Sequence, residues 1–428
     1  MPDSDRLYYA DSFLKTFSGA VTAVRDVAGA GSGSAWQLAL DRSAFYPTSG
    51  GQPFDTGMLN TTSSAGSTAE IPVEQVEEDE AGIVWHFVQQ PIAAGSQVEG
   101  QIDWERRFDH MQQHTGQHLL SAVFARELQA ATVSFHLGEQ TSTIDLASST
   151  IAHHSLERVE KIANEIIAED RQVTISYASR AEAEAMLASG ELRKLPDREG
   201  AIRMIDIADL DHNACGGTHV RATGQIGGLL IRRLEKVSRG MRIEFVCGLR
   251  AVRAARADAA ILNESSGLLS TGAPELPALV KQMLAEGKGA AKERQKLREE
   301  LATYQAAEIV SQAPLENGMR LIVRGWKDRD RDFVKLLASR AAAAAPSTVA
   351  FFRAEDADPV RIFLARSPDL KFNCGQILKD SLASLGLRGG GSADLAQGEV
   401  PASRAPELQN SAIDAIRGAI ANSTGNTQ

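Results

Sequence analysis

His114 and His118 stand four residues apart in "HTGQHLL", with leucines directly behind them. That spacing puts both imidazoles on one face of an α-helix, roughly 5–6 Å apart at Cβ, where they can converge on one cation. Cys215 and His219 repeat the separation in "DHNACGGTHV", and Gly216 and Gly217 follow the cysteine at once. Glycines there suggest a tight turn that brings backbone close to a ligand. One thiolate and three imidazoles are the donors zinc takes in tetrahedral sites; calcium and magnesium want oxygens. The expectation is one zinc per chain on His114, His118, Cys215 and His219. The plain alternative is a buried free cysteine beside a turn histidine, though Cys247 and Cys374 have no such surroundings. His110, one turn before His114, ranks below the other two because it has no partner.

These pairs need elements to carry them. Residues 104 to 128 read as a helix, with Phe108, Met111, Leu119, Leu120, Val123, Phe124 and Leu128 at near-helical spacing. Before it, residues 5 to 100 alternate short β-like runs ("GAVTAV", "AWQLALD", "GIVWHFV", "GSQVEGQIDW") with Gly, Ser and Asp turns, which predicts a small β-barrel over 1–103. The stretch "NTTSSAGSTAE" reads as a solvated hairpin tip. Residues 104–250 alternate helix and strand. Ser155 caps a helix, "QVTISYA" is a strand, "AEAEAMLASG" is a helix closed by glycine, and "AIRMIDI" leads as a strand into the cysteine turn. "GGLLIRRLEKVSRGMRIEFVCG" reads as two strands. Residues 251–314 are helical with alternating charges and an apolar seam at Leu297, Leu301 and Tyr304, as in a hairpin or coiled coil that acts as spacer or dimer contact. Residues 315–428 form a further α/β unit with a "GLRGGGSADLAQG" loop, in which Arg388, with Lys379 and Arg366 near it, could meet phosphate. The fold class is α+β.

Composition narrows the function classes. The chain has 428 residues, enough for two or three domains, and is 43% hydrophobic. No stretch approaches the roughly 20 apolar residues of a membrane span, and the start lacks the regions of a signal peptide. Three scattered cysteines make no disulfide framework, so the cytoplasm is expected. The net charge of −10 is not the basic footprint usual for nucleic-acid binding. Phosphate contacts need only local patches, however, and two are candidates: Arg106 with Arg107, and Arg232, Arg233, Lys236, Arg239 and Arg242 in one hairpin.

Taken together, "RLYYADSFL", "LDRSAFYPTSGGQPFDTG", "MQQHTGQHLLSAVF", "SFHLG" with "TIDL", and "CGGTHV" resemble the long-form AlaX family, free-standing relatives of the editing region of alanyl-tRNA synthetase. "RGMRIEF" and "LRGGG" add to the resemblance, and the last domain resembles the DHH-associated domain of those synthetases. "LDHNAC" is not a DHH phosphoesterase motif, and no class II synthetase domain is expected before the barrel. The resemblance implies a zinc-dependent editing domain over 104–250 that hydrolyses mischarged tRNA: seryl-tRNA for alanine, and glycyl-tRNA too. It implies a tRNA partner, and a homodimer through the helical linker or the last domain. Four protein ligands normally mark a structural zinc, so the metal is expected to position substrate, with His219 the weak ligand beyond a flexible glycine turn. Thr218 and the backbone N–H groups of Gly216 and Gly217 would orient water or the developing oxyanion. Thr132, Ser134 and His136 lie where the family reads serine. Gly50, Gly51 and Gln52 form either a bulge or turn, or a loop that reaches over the pocket. Two other functions stay open: a non-catalytic zinc-stabilised RNA-binding module, and an editing enzyme for another amino acid such as threonine.

Overall fold

The structure, a computed structural model, describes residues 5–27, 35–62, 68–189, 192, 195, 200–238 and 240–424. The chain divides into two compact units, Met1–Leu268 and Leu269–Gln428. The expected 251–314 linker is shared between them.

The first unit opens with a one-turn helix α1 (Leu7–Ala10) and seven strands: β1 (Thr16–Asp26), β2 (Trp36–Leu40), β3 (Gly57–Thr62), β4 (Thr68–Val73), β5 (Gln75–Glu78), β6 (Val84–Val88) and β7 (Gln97–Ile102). They form one antiparallel sheet in the order β4-β3-β7-β1-β2-β6-β5. Its edge strands β4 and β5 are consecutive in sequence, separated by Glu74 alone, whose N–H donates to Phe87 O at 3.0 Å. The sheet therefore curls until its two edges are one bent run of chain around Phe17, Leu38, Phe45, Leu59, Val76 and Val98. In β7, Val98, Gly100 and Ile102 are buried while the residues between them are exposed, the period of two that a curled sheet with one wet face requires. Gly100 is needed there, because a Cβ would lie 2.1 Å from the Phe17 ring. The centre of the expected hairpin tip, residues 63–67, lies outside the described residues.

Next come α2 (Trp104–Leu128), β8 (Thr132–Leu137), β9 (Ser142–Leu146), α3 (His153–Ala168), β10 (Val173–Ala178), α4 (Arg180–Ser189), β11 (Ile202–Ile207), β12 (Asp211–Ala214), β13 (Leu229–Val237), β14 (Gly240–Cys247) and α5 (Gly248–Leu268). Asp103 caps α2, accepting from Arg106 N at 3.2 Å. Every residue from His110 to Phe124 is buried. The helix is thus the axis of this region, with the sheet β13-β14-β9-β8, helix α3 and the sheet β10-β11-β12 around it. A helix enclosed on all sides must satisfy its polar side chains internally. Gln113 does so on the Cys247 backbone, donating to its O at 3.1 Å and accepting from its N at 2.8 Å. Gly116 makes that approach feasible, since a Cβ would lie 2.3 Å from Cys247 Sγ.

Three sequence expectations change here. Arg107 is no phosphate ligand. It is fully buried, with its Nε 2.9 Å from Asp55 Oδ2 and its Nη1 donating to Ser12 O at 3.0 Å. It ties the curled sheet to α2. Ser155 is not a cap: α3 begins at His153 after Ala152, with no side-chain cap. The glycine expected to close α4 and Arg239 of the basic hairpin lie outside the described residues. In that hairpin Arg232 pairs with Asp258, Arg233 with Glu235 and Arg242 with Asp145, so acids neutralise most of the expected patch.

The second unit comprises α6 (Leu276–Ser311), β15 (Arg320–Trp326), α7 (Arg331–Ala344), β16 (Thr348–Ala354), β17 (Val360–Arg366), α8 (Cys374–Ala383), β18 (Gly389–Gly391), β19 (Leu395–Val400) and α9 (Ala405–Thr424). The sheet order is β15-β16-β17-β19-β18, with only β15 and β16 parallel. Strand β16 is buried on both faces. Ala350 and Phe352 meet Ala302, Ala306 and Leu337 of α6 and α7, while Val349 and Phe351 meet Leu378 and Leu408 of α8 and α9. Helix α6 therefore buries its alanine side, and the expected seam of Leu297, Leu301 and Tyr304 is exposed. The glycine-rich segment is strand rather than open loop. A Cβ on Gly389 would lie 2.2 Å from Leu382 Cδ1, so these glycines serve close packing on α8. Arg366 is spent on Asp394 and on the carbonyls of Ser367 and Ala393. Among the described residues, no helix is long and apolar enough to cross a membrane.

Candidate metal centre

Helix α2 delivers His114 and His118, and the turn after β12 delivers Cys215 and His219. Their four ligand atoms lie within 4.8 Å of one another. Cys215 Sγ is 3.4 Å from His114 Nε2 and 3.3 Å from His219 Nε2. Donors on a tetrahedral zinc with bonds of about 2.0 and 2.3 Å stand about 3.5 Å apart, so the spacing fits such a cation.

Each imidazole is held by its other nitrogen. His114 Nδ1 lies 2.8 Å from Gln52 Oε1, His118 Nδ1 3.2 Å from Asp211 Oδ2, and His219 Nδ1 3.1 Å from Thr115 Oγ1. Partners of this kind fix the ring and leave Nε2 for the metal. Burial opposes a thiolate at Cys215, yet His114 and His219 beside it hold its pKa well below the usual thiol value. Burial also opposes charge on His118, but Asp211 and Cys215 prevail and raise its pKa to about 9. Burial, with His114 adding to it, pushes His219 down to about 3. His110 is buried but outside the ligand set, and its Nδ1 has no partner among the described residues.

The cysteine turn is braced, not flexible. Arg203 Nη1 donates to Cys215 O at 2.7 Å and to Gly217 O at 2.9 Å. Gly217 is required by space, because a Cβ would lie 2.1 Å from His114 Cε1. His219 is fixed at its ring by Thr115 and at its backbone by Ser12, whose Oγ accepts from its N at 3.3 Å. Nothing in this geometry makes it a looser ligand than the others. The N–H of Gly217 points at Cys215 Sγ, at 3.4 Å, and that of Thr218 at Gln52 Oε1, at 3.0 Å. Of the expected donors, the Gly217 N–H is therefore engaged, as is the backbone N–H of Thr218. The Thr218 hydroxyl accepts from Gln52 Nε2 at 2.9 Å and keeps its own proton free to donate.

Gln52 enters from the curled sheet. Gly50 and Gly51 have φ of +54° and +82°, and Ser49 and Gln52 bridge the turn. That turn drives Gln52, fully buried, onto His114 and Thr218 at once. Leu137 N donates to Gly51 O at 3.2 Å, so the turn is also docked on β8. On that strand Phe135 faces His114, with ring centroids 5.8 Å apart, and alternation turns Ser134 and His136 to the exposed side. Ser134 donates to Asp145 at 2.9 Å there. Thr132, beyond a bulge in the strand, faces inward and donates to Ser121 Oγ at 2.7 Å. Sequence reasoning missed Asp211, Thr115, Arg203 and Phe135. Asp211 lies four residues before Cys215 and Thr115 directly after His114, so the local signal was present.

The chain is similar to proteins that handle alanyl-tRNA. A family model described as "tRNA synthetases class II (A)" matches residues 2–106, and one described as "Threonyl and Alanyl tRNA synthetase second additional domain" matches residues 202–244. The alanine–tRNA ligase of Pyrococcus abyssi is 33% identical over 416 residues, which cover 94% of this chain and 42% of that ligase. The alanyl-tRNA editing protein AlaX-L of Pyrococcus horikoshii is 28% identical over 425 residues, covering 96% of this chain and 98% of AlaX-L. The chain is thus similar to an alanyl-tRNA editing protein and to the matching part of alanine–tRNA ligases. It matches AlaX-L almost end to end, but spans less than half the length of the ligases it matches. The crystal structure of the C-Ala domain of Aquifex aeolicus alanyl-tRNA synthetase aligns with 25% of this chain and 94% of that domain, at 20% identity and a TM-score of 0.22.

Proposed function

We propose that this protein is a trans-editing hydrolase. It deacylates seryl-tRNA mischarged for alanine, and glycyl-tRNA with it, at the ester joining the amino acid to the terminal adenosine. The observation that carries this reading is the convergence of Cys215 and three Nε2 atoms, each ring aimed by Gln52, Asp211 or Thr115. The chemistry of that donor set fits one zinc per chain. When bound, zinc supplies a Lewis acid beside the ester. Four protein donors close a tetrahedron, so we assign the metal a positioning role. Thr218 then donates a hydrogen bond from its hydroxyl to the developing oxyanion, while Gln52 fixes the direction of that hydroxyl. Gly216, next to it in the turn, is the remaining candidate donor. The need for such an enzyme is physical, because an alanine pocket cannot strongly reject serine, which only adds a hydroxyl.

The closed donor set favours one rival, a zinc-stabilised RNA-binding module without catalysis. One assay separates them. Purified protein, with zinc per chain measured, is given seryl-tRNA for alanine, alanyl-tRNA for alanine and seryl-tRNA for threonine. The proposal expects serine released from the first far faster than alanine from the second or serine from the third. Zinc-replete protein that hydrolyses none of them leaves the rival standing.

A further inference from the structure

Several buried polar atoms near the ligands have no partner among the described residues, and one of them lies on α2 between the two histidine ligands. Gln117, on α2 between His114 and His118, is buried, and its Nε2 donates to Ser121 Oγ at 2.9 Å. Its Oε1 meets no donor. Ser121 also accepts from Thr132 Oγ1 at 2.7 Å. At about 100° per residue, His114 and His118 set one direction on the helix. Thr115, with His219 attached, lies to one side of it. Gln117 and Ser121 lie to the other, towards Thr132 and Phe135 of β8, where Phe135 stands over His114. The unpartnered atom therefore flanks the metal centre on the side away from the cysteine turn. A substrate held at the metal has that side left for its side chain.

A buried amide oxygen without a donor is costly and calls for an explanation in a folded protein. A hydroxyl supplies the missing bond. It both donates and accepts, so it satisfies whichever amide atom is left without a partner. A methyl group does neither. We propose that Gln117 reads the side-chain hydroxyl of the amino acid on the scissile ester, with Ser121 and Thr132 as positioning residues that hold its amide in place. The proposal rests on the editing reading above and names its specificity determinant. It moves that role from Ser134 and His136, which face outward, to α2. A site built to bond a hydroxyl rejects the analogue lacking it far more strongly than an apolar pocket rejects an extra one.

The test uses the full-length, zinc-loaded protein and non-hydrolysable 3′-amide analogues of seryl- and alanyl-adenosine. Wild type should bind the seryl analogue more tightly. In Gln117→Met, which keeps the volume and removes the amide, that preference should fall about tenfold or more with zinc content unchanged. Ser121→Ala should lose part of it, and it carries the test by itself if Gln117→Met does not fold. A preference unchanged in the folded variants overturns the proposal. Because the readout is binding, the proposal and the editing reading can fail separately. Preference lost in Gln117→Met by a protein that hydrolyses no ester would sink the editing reading and keep this one. Selective hydrolysis with intact preference in the variants would do the reverse.

Discussion

Asp211→Asn tests the second layer of the metal centre most sharply, because it changes charge with little change of shape. Asp211 Oδ2 lies 3.2 Å from His118 Nδ1 and accepts from Asn213 Nδ2 at 2.7 Å, with both His118 and Asp211 side chains buried. Losing such a partner typically costs about 10–100-fold in metal affinity. A second effect opposes the first. His118 holds a proton up to about pH 9, and a metal must displace that proton to bind. From pH 9 down to pH 7, this competition weakens wild-type binding about tenfold per unit, or about 100-fold in all. The asparagine removes one of the two groups that raise the proton's affinity and leaves Cys215, so the variant escapes part of that penalty. The variant's deficit should therefore approach its full value of about 10–100-fold at pH 9 and be smaller at pH 7. Chelator competition for zinc at both pH values, with circular dichroism to confirm folding, measures it. A deficit independent of pH refutes the proton competition. No deficit at pH 9 refutes the orienting role.

Two further outcomes follow from the coordinates. Gly217→Ala should lose zinc because its Cβ would fall 2.1 Å from His114 Cε1, whereas Gly216→Ala, whose nearest neighbour is Tyr9 Oη at 3.4 Å, should keep it; equal zinc content in the two purified variants contradicts the packing argument. His86 is fully buried between Ser43 and Leu38 O, and burial lowers its pKa to about 4. The unfolded chain therefore takes up the proton first, so this stability is complete above about pH 6.5 and is lost as pH falls towards 4. His86→Leu, though less stable at both values, should shrink the drop in unfolding free energy between pH 7 and pH 5 by about 2 kcal/mol, as read from urea unfolding followed by tryptophan fluorescence.

The group that could hold a metal was legible because helical spacing and donor type are local facts. Strands β1, β2, β6 and β7 were legible for the same reason: their alternation survives in the residue order. Strands β3, β4 and β5 were not, since "GMLNTT" and "TAEIPV" carry few apolar residues and a proline, and gain their pairing only when the sheet curls back on itself. The role of α2 was hidden as well. Its Arg107 read as part of a phosphate-contact patch and nothing marked Gln112 or Gln113, yet each is buried and spent on a distant carboxylate or backbone. Nothing in a sequence says that an arginine's partner lies 52 residues away. Ser134 shows the opposite case, an exposed side chain in a stretch singled out for the pocket. It sits in a suggestive stretch, but a bulge and strand parity settle which face it takes.

The division expected at residue 103 has a consequence for function. Four ligands come from beyond that point, but the residue touching both His114 and Thr218 is Gln52, from the curled sheet. Its position depends on the Gly50–Gly51 turn, and the strand that follows is anchored by the fully buried Asp55–Arg107 pair. Breaking such a pair by removing one partner typically costs about 3–5 kcal/mol, so the two parts are coupled far more tightly than neighbours joined by a linker. Residues 104–250 by themselves would keep the donors and lose what aims one of them. The site therefore belongs to the whole first unit, and the sheet is one wall of it.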